Sequence, residues 1–459
     1  MISSPVLQKL SDILGSRYLK TTGSDLSEYA GDSTEIVCMP DAVAFPGSAE
    51  EISSILALAN RTYFPVIPRG AGSGKSGGAT PVKGGLVLAM DRLDRIISID
   101  RDNLIAKVEP AVITAHLQKE VERVGFFYPP DPASFRISTI GGNVAECAGG
   151  LRAVKYGVTR DYVLGLTVVL PTGEIIRTGV ETAKGVVGYD LTRLIIGSEG
   201  TLAVITSVTL RLIPKPSHKR TMLAFFPDVP SAVRTVSEII RNGVVPAAVE
   251  FMDQLSIDCV RDEIGITVPR DVNALLLMEV DGDASSTARE AESINKICLR
   301  SRATHFELAT DEEGAEKLWE ARRSVSEALV KLRPNKTSED IVVPRSLMAD
   351  LVTFLDQLKE KYRLPIPAFG HAGDGNIHVN IMFDKDNPRE KRNRDAVVRD
   401  LFREVIRLGG TISGEHGIGL TKAPYLDMEI SRPAIDLMVR LKRAFDPKGV
   451  LNPGKIFTQ

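Results

Sequence analysis

Cysteine is scarce in this 459-residue sequence, and its four cysteines, Cys38, Cys147, Cys259 and Cys298, lie far apart. No CxxC or CxxCH pattern occurs. This excludes a cysteine-built zinc site, an iron–sulfur cluster and a c-type haem. Single, widely spaced cysteines are typical of a reducing compartment, so we expect a cytoplasmic protein.

Long hydrophobic runs and an excess of one charge are also absent. The longest apolar runs, such as Leu86–Met90 and Ala274–Met278, are far shorter than the ~20 residues of a membrane span. The N-terminus has neither a basic start nor an apolar core, so we expect no signal peptide. The 57 Lys and Arg residues nearly balance the 59 Asp and Glu residues, which argues against a general nucleic-acid binder.

The length of the chain predicts two to four domains. The pattern of apolar residues changes part of the way along it. Up to Pro214-Lys215-Pro216, a predicted linker, short strand-like runs alternate with Gly-rich turns, and beyond it strands alternate with longer helices. The sequence therefore predicts an α+β fold. We expect a first domain at residues 1–215, a second at 216–420 and a C-terminal helical segment at 421–459.

Individual elements follow from the same periodicities. The predicted strands are Val66-Ile67, Leu86–Met90, Ala106–Val108, Val168–Leu170, Ile175-Ile176, Leu202–Ile205, Val208–Leu212, Met222–Phe226 and Ala274–Val280. The predicted helices are Leu7–Leu14, Ala49–Ala59, Thr114–Val124, Ser231–Arg241, Ser285–Ser301, Glu312–Leu332 and Leu437–Ala444. Ser48 and Glu51 have the spacing of a capping box at the start of the second of these helices.

The densest glycine cluster lies in the loop Arg69–Gly78, after an apolar run. Such a loop lets the backbone approach a ligand and point several N–H groups at phosphate. A Walker A loop would need glycine where Arg69 stands, so that match fails. The spacing of Gly72, Gly74 and Gly77 fits the dinucleotide fingerprint, but Ala79–Gly85 cannot form the helix that this fingerprint requires.

Further motifs follow in a specific order: TIGGNVAECAGG, KYGVTRD and GSEGTLAVIT. Together with PRGAGSGKSGG they resemble the FAD-binding domain of the p-cresol methylhydroxylase/vanillyl-alcohol oxidase superfamily. Over nearly its whole length the chain is similar to the D-2-hydroxy-acid dehydrogenases, which include D-lactate dehydrogenase, the glycolate oxidase flavoprotein subunit and D-2-hydroxyglutarate dehydrogenase. The resemblance implies a two-part FAD-binding domain and an α+β, ferredoxin-like substrate domain.

The resemblance also implies which residues bind FAD, without a covalent bond. The loop would wrap the pyrophosphate, and the later motifs would line the flavin and the adenine end. The implied residues are Arg69, Gly70, Ala71, Gly72, Ser73, Gly74, Ser76, Gly77, Pro130, Asp131, Thr139, Gly142, Asn143, Ala148, Gly149, Gly157, Glu199, Gly200, Ile205 and Asn452.

Three of the six histidines cluster late in the chain. His371 and His378 flank a Gly-rich turn, and Glu415-His416 lies in a Gly-x-x-Gly frame. Two His and one Glu form the ligand set of an open catalytic metal site. The resemblance implies that His371, His378 and Glu415 bind a divalent metal and that His416 is the catalytic base. Zn is the first expectation, and Fe and Mn remain open.

Arg322 lies at the margin of an apolar stripe on the helix Glu312–Leu332. An arginine in that position pairs with an anion, either a carboxylate of the protein or a ligand. The resemblance matches Trp319-Glu-Ala-Arg322 to a motif whose arginine binds the substrate carboxylate. Ser326, Lys336 and Asn380 are further candidate contacts.

The resemblance therefore implies a flavin-dependent dehydrogenase that oxidises a small D-2-hydroxy acid to the 2-oxo acid. Electrons would leave to a separate acceptor: an electron-transfer flavoprotein, an iron–sulfur subunit or a quinone, with oxygen also open. Such a partner could hold the protein at a membrane surface, and a homodimer is an open assembly. Two alternatives remain, a metallohydrolase that uses the His/His/Glu site and a nucleotide-binding module.

Overall fold

The computed structural model describes residues 1–264 and 268–457, which group into two compact units. The first unit combines Met1–Gly149, Val158–Lys215 and Glu415–Gln459, and the second combines Gly150–Gly157 and Pro216–Gly414. The division after Lys215 coincides with the predicted linker. The short excursion Gly150–Gly157 has no counterpart in the predicted boundaries, and the last segment begins at Glu415 rather than after residue 420.

The first unit contains two main sheets. The smaller sheet is mixed and has the strand order Leu19–Lys20, Ala42–Ala44, Leu86–Ala89 and Val66–Arg69. The larger sheet is antiparallel and has the order Ile96–Asp100, Ile105–Val108, Val204–Arg211, Val163–Val169 and Ile175–Gly179. A short ladder joins Phe126–Phe127 to Ile213–Pro214.

Helices flank these sheets. The α-helices of the first unit are Ser4–Leu14, Gly23–Leu26, Ala49–Thr62, Thr114–Arg123, Ile140–Glu146, Leu191–Ile195, Leu426–Glu429 and Arg432–Phe445. The helix Ala49–Thr62 begins as predicted, because Oγ of Ser48 accepts from the Glu51 N–H (3.2 Å). The Glu51 carboxylate in turn accepts from the Gly47 N–H (2.7 Å), and the buried face of the helix packs into the core around the smaller sheet.

The glycine-rich loop joins two parallel strands without a helix. Val66–Arg69 and Leu86–Ala89 are paired side by side, and residues 70–85 between them form turns, bends and an isolated bridge, with no helix. Both the Walker A loop and the dinucleotide fingerprint need a helix immediately after the glycines. The fold therefore excludes both for this loop, as the sequence predicted.

The second unit is built on one antiparallel sheet. Its strand order is His305–Leu308, His218–Phe226, Ala274–Gly282, Ala248–Asp253, Ala368–His371, Asn376–Phe383 and Asn335–Val342. Its α-helices are Ala153–Tyr156, Val229–Arg241, Gln254–Val260, Ala284–Arg300, Glu312–Ala328, Met348–Tyr362 and Pro388–Arg407. A buried cluster, in which Trp319 and Phe369 take part, packs the helix Glu312–Ala328 against this sheet.

Several elements differ from the prediction. The two predicted strands at residues 202–212 form one strand, Val204–Arg211, with a register shift after Ile205. The predicted helix Glu312–Leu332 ends at Ala328 and continues as a 3₁₀ turn. The sequence analysis missed the helices Met348–Tyr362 and Pro388–Arg407, since charged residues dilute their apolar stripes.

The structure shows the state of the cysteines and the character of the helices. The cysteines Cys38, Cys147, Cys259 and Cys298 are all free thiols. In residues 1–264 and 268–457, no helix has both the length and the apolar character that crossing a membrane requires.

A buried ion pair anchors the C-terminal segment of the first unit. Nζ of Lys442 lies 2.6 Å from the Asp446 carboxylate and donates to the carbonyls of Thr201 (2.7 Å) and Leu451 (2.8 Å). The Asp446 carboxylate also accepts from the N–H groups of Val450 and Leu451. Burial lowers the pKa of Lys442, but Asp446 opposes this shift. One cation thus ties the last helix to the loop that follows it.

We expect Lys442→Met to lower the free energy of unfolding by about 3 kcal/mol, because it leaves the Asp446 carboxylate buried without its cation. Urea unfolding would measure the change. Arg432→Met is the matched control, since the Arg432–Asp436 pair is exposed and such pairs contribute about 1 kcal/mol or less. Equal effects of the two substitutions would contradict the anchoring role.

Candidate functional site

Residues from distant segments meet at the glycine-rich loop of the first unit. A Cβ at Gly70 would lie only 2.4 Å from Oγ1 of Thr139, so this position requires glycine. Nδ2 of Asn452 donates to the carbonyls of Gly78 (3.0 Å) and Glu199 (2.8 Å). The fold therefore brings together Gly70, Thr139, Glu199 and Asn452, all of which the sequence predicted as cofactor contacts.

Unused polar atoms line the same region. Oγ of Ser76, Oγ1 of Thr80 and Oδ1 of Asn452 are buried and have no hydrogen-bond partner among the described residues. Buried polar atoms are costly unless a ligand or water satisfies them. A glycine-built cradle with unsatisfied hydroxyl donors fits a phosphate-bearing cofactor such as FAD, and the amide oxygen of Asn452 fits a donor group of such a cofactor.

The Arg69 side chain contacts the protein at the start of the glycine-rich loop. Its guanidinium donates to the carbonyls of Gly31 (2.5 Å) and Glu28 (3.2 Å) and lies over the ring of Tyr29. Burial lowers the pKa of Arg69, although Asp32 and other acidic neighbours oppose this. The side chain therefore fixes the start of the loop through its contacts with Gly31, Glu28 and Tyr29.

The other predicted FAD contacts lie in several places. Thr139 caps the helix Ile140–Glu146 by accepting from the Gly142 N–H (3.2 Å), and Nδ2 of Asn143 donates to Thr114 (2.8 Å). The remaining predicted residues of the first unit are Ala71, Gly72, Ser73, Gly74, Gly77, Pro130, Asp131, Ala148, Gly149, Gly200 and Ile205. Gly157 instead belongs to the second unit.

The Glu199 carboxylate holds a backbone turn. Its oxygens accept from the N–H groups of Ile418 (2.8 Å) and Gly419 (2.6 Å). Burial raises the pKa of Glu199, and these two hydrogen bonds act against the increase. Since Ile418 follows His416 by two residues, Glu199 fixes the segment that carries the predicted base. The sequence analysis assigned Glu199 to the cofactor and missed this contact.

Glu146 also lies close to that segment. A Cβ at Gly417 would be 2.4 Å from Oε2 of Glu146 and 3.0 Å from Oε1 of Glu199, so only glycine fits between the two carboxylates. Oε2 of Glu146 has no hydrogen-bond partner among the described residues. Burial, Glu199 and Asp32 together raise the pKa of Glu146 well above its ordinary value. The sequence analysis gave Glu146 no role.

In the second unit, Glu250 joins two predicted site residues. Its Oε1 lies 2.5 Å from Nδ1 of His371, and its Oε2 lies 2.5 Å from Nη2 of Arg322. Burial raises the pKa of Glu250, but His371 and Arg322 outweigh it and leave the pKa below its ordinary value. Arg322 thus pairs with a carboxylate of the protein, one of the two anions that the sequence analysis left open for it. The sequence analysis did not identify that carboxylate as Glu250.

His378 has a similar neighbour. It lies directly across from Asp340 in the ladder between Asn376–Phe383 and Asn335–Val342, with 3.7 Å between Nδ1 and Oδ1. Asp340 is fully buried and accepts from Nδ2 of Asn376 (2.6 Å). The rings of His371 and His378 are edge to face, with centroids 5.1 Å apart. Two imidazoles with adjacent carboxylates fit the donor set of a divalent metal.

The remaining predicted ligand, Glu415, and the predicted base, His416, open the last segment of the first unit. They directly follow Gly414, which belongs to the second unit and whose N–H donates to Oδ2 of Asp340 (2.9 Å). Within the first unit, a Cβ at Gly149 would lie 3.1 Å from Oε2 of Glu415.

The predicted carboxylate contacts also lie in the second unit. Nζ of Lys336 donates to Oγ (2.8 Å) and the carbonyl (2.7 Å) of Ser326, one helical turn after Arg322. Oδ1 of Asn380 accepts from Ser338 (2.9 Å). Strand alternation places Lys336 and Ser338 on one face, and Asn380 is directly opposite Ser338.

Comparisons with known proteins agree with this organisation. Residues 40–179 match the family model described as FAD binding domain, and residues 215–456 match FAD linked oxidases, C-terminal domain. The glycolate oxidase subunit GlcD of Bacillus subtilis (strain 168) is 45% identical over 100% of this chain and 98% of its own length. The D-lactate dehydrogenase of Anaerostipes hadrus is 33% identical over 99% of this chain and 98% of its own.

Solved structures support the fold alone. Substrate-bound p-cresol methylhydroxylase aligns with a TM-score of 0.82 over 98% of this chain and 96% of its own, at 18% identity. A 4-ethylphenol oxidase from Gulosibacter chungangensis aligns with a TM-score of 0.78 over 99% and 98%, at 20% identity. The predicted α+β fold of the p-cresol methylhydroxylase type is confirmed.

Fold and site together define an FAD-dependent oxidoreductase. The chain belongs to the family of FAD-linked oxidases, because one family model covers more than half of it and its relatives match over their whole lengths. The predicted cofactor FAD and the predicted enzyme class are therefore confirmed. The individual site residues remain predictions.

The raised pKa of Glu146 has a consequence for stability in the flavin-free protein. A raised pKa means that the folded state binds more protons than the unfolded state, so stability falls as pH rises above about 4.5. Glu146→Gln cannot ionise. We expect the free energy of unfolding of the variant, relative to wild type, to be higher at pH 8 than at pH 5, rising by at most about 1.4 kcal/mol per pH unit.

Urea unfolding of both proteins at the two pH values would measure this gain. Glu35→Gln, at an exposed position of the same unit, is the matched control for the same change of side chain. A difference between Glu146→Gln and wild type that does not change with pH would contradict the raised pKa.

Proposed function

We propose that the protein oxidises a small D-2-hydroxy acid, or the related glycolate, to the corresponding 2-oxo acid with FAD as oxidant. The observation that carries the proposal is the Arg322–Glu250–His371 chain, which places a guanidinium beside a candidate metal ligand. A substrate whose carboxylate and hydroxyl sit on adjacent carbons needs these two functions close together. The full-length relatives named as glycolate oxidase subunit and D-lactate dehydrogenase favour the same class.

The substrate carboxylate binds to Arg322 in this proposal. Although one terminal nitrogen is paired with Glu250, Nε of Arg322 has no partner among the described residues. A guanidinium carries five N–H donors, so it can hold Glu250 and a ligand together. Ser326, Lys336 and Asn380 would complete the polar wall around the substrate.

The chain's own residues then hold and move the hydroxyl proton. His416 takes this proton as general base, a role that suits an imidazole because its pKa lies near neutrality. FAD held at the glycine-rich loop would supply the oxidant for the hydride that leaves the substrate Cα. A divalent ion held by His371, His378 and Glu415 would favour the ionised hydroxyl by its charge. Glu199 keeps the turn after His416 in place.

The two alternatives account for less of the molecule. A metallohydrolase would use the histidines but would leave unexplained the glycine-rich loop and the match of residues 40–179 to an FAD binding domain. A nucleotide-binding module of the Walker type needs a helix after Ser76, and turns occupy that place.

Re-oxidation of the flavin requires an electron acceptor. The chain has no cysteine motif for a cluster or a haem. We therefore propose transfer to a separate electron-transfer flavoprotein, iron–sulfur subunit or quinone, with oxygen as a further acceptor. The proposed location is the cytoplasm, with membrane contact through that partner, and a homodimer is a proposed assembly.

Anaerobic reduction by candidate substrates tests the function. We expect the flavin absorbance of the purified protein to bleach with glycolate, D-lactate or D-2-hydroxyglutarate and to stay unchanged with L-lactate. The acid that bleaches it fastest identifies the substrate group. A flavin that none of the three acids reduces would overturn the proposal, and a protein that cannot be loaded with FAD would favour the hydrolase.

His416→Ala tests the proposed base. We expect the variant to keep its flavin and to be reduced about 10²- to 10⁴-fold more slowly, because general base catalysis contributes that much. Stopped-flow reduction under anaerobic conditions would give the rate. His305→Ala, at an exposed position, is the control, and reduction of His416→Ala at the wild-type rate would exclude His416 as the base.

A further inference from the structure

We propose that Glu250 is a positioning residue that selects the tautomer of His371, so that Nε2 of this ring is the nitrogen offered to a divalent ion. This inference rests on the proposed metal role of His371. Neither the family matches nor the sequence motifs assign a role to Glu250.

The contact between Glu250 and His371 follows from the pairing of two strands. Glu250 and His371 are direct partners in the ladder between Ala248–Asp253 and Ala368–His371. Their side chains are only 2% and 10% exposed, and 2.5 Å separates Oε1 from Nδ1. Residues directly opposite each other in a ladder hold their side chains side by side. The contact is therefore fixed by backbone pairing and does not depend on a mobile loop.

Arg322 determines the direction of this hydrogen bond. Its guanidinium lies 2.5 Å from Oε2 of Glu250 and over the ring of Phe369. A guanidinium next to a buried carboxylate keeps that carboxylate ionised. An ionised carboxylate can only accept, so Nδ1 of His371 must carry the hydrogen. In the neutral ring Nε2 then carries the lone pair that a metal needs.

An amide at position 250 would reverse this arrangement. Arg322 can only donate, so the amide oxygen of Glu250→Gln must face Arg322. The NH₂ group then faces Nδ1 of His371, which has to accept. The hydrogen of the ring moves to Nε2, where it blocks metal binding. Removing Arg322 as well frees the amide to turn its oxygen back to His371.

The experiment compares metal affinities in FAD-loaded protein stripped of metal. Calorimetric titration with Zn²⁺ should show 10- to 100-fold weaker binding for Glu250→Gln than for the wild type. The double variant Glu250→Gln/Arg322→Met should recover most of this loss. Because the double variant leaves no buried charge without a partner, it keeps the test informative even if Glu250→Gln alone fails to fold.

Glu279→Gln is the matched control. Glu279 is a buried carboxylate on the strand Ala274–Gly282, opposite Ala248, and it accepts from Thr221. We expect this control to bind Zn²⁺ as the wild type does. Flavin absorbance and the unfolding midpoint of each variant would report on folding independently of the metal.

The outcomes separate the two proposals. Wild-type affinity in Glu250→Gln, or a double variant no tighter than the single one, would overturn the positioning role while leaving the metal site intact. A wild-type protein that binds no divalent ion would overturn the metal site itself, and with it this inference. Weak binding by Glu250→Gln that the second substitution restores would support both.

Discussion

The Glu250 carboxylate is removed from water and lies between the Arg322 guanidinium and the His371 imidazole. An ionised group in that position is tolerated only when partners on both sides compensate for lost hydration. The sheet supplies one partner through strand register, and the helix Glu312–Ala328 supplies the other. The positions of a candidate metal ligand and a candidate substrate contact thus depend on a single buried charge.

The structure of the first unit depends instead on glycines at positions where chain segments approach each other closely. At Gly70 and Gly417 a side chain would collide with Thr139 or with the carboxylates of Glu146 and Glu199. The glycine-rich loop and the turn after His416 also share a hydrogen bond, since the Ser76 carbonyl accepts from the Leu420 N–H (2.7 Å). The Glu199 carboxylate holds the same turn by accepting two backbone N–H groups. The segment that carries the predicted base is therefore fixed next to the predicted cofactor loop.

Much of the fold could be predicted from local pattern. The helix Ala49–Thr62, its Ser48 cap and the strands on either side of the glycine-rich loop follow from apolar spacing and capping chemistry. The helix Pro388–Arg407 could not be predicted so readily, because its many charged residues conceal a narrow buried stripe. Tertiary packing selects that stripe, and no local rule does so.

The sequence predicted the class of the protein through the order of its glycine motifs and its histidine–glutamate cluster, which resemble those of FAD-linked oxidoreductases. Which buried acids lie beside the candidate site residues depends on tertiary packing. Glu250 and Asp340 occur in segments with no local signature of function, and Glu146 was given no role within its glycine motif, because a carboxylate acquires its role from its neighbours. Those neighbours are distant in sequence, as with Glu250 and His371, and only strand pairing and burial bring them into contact.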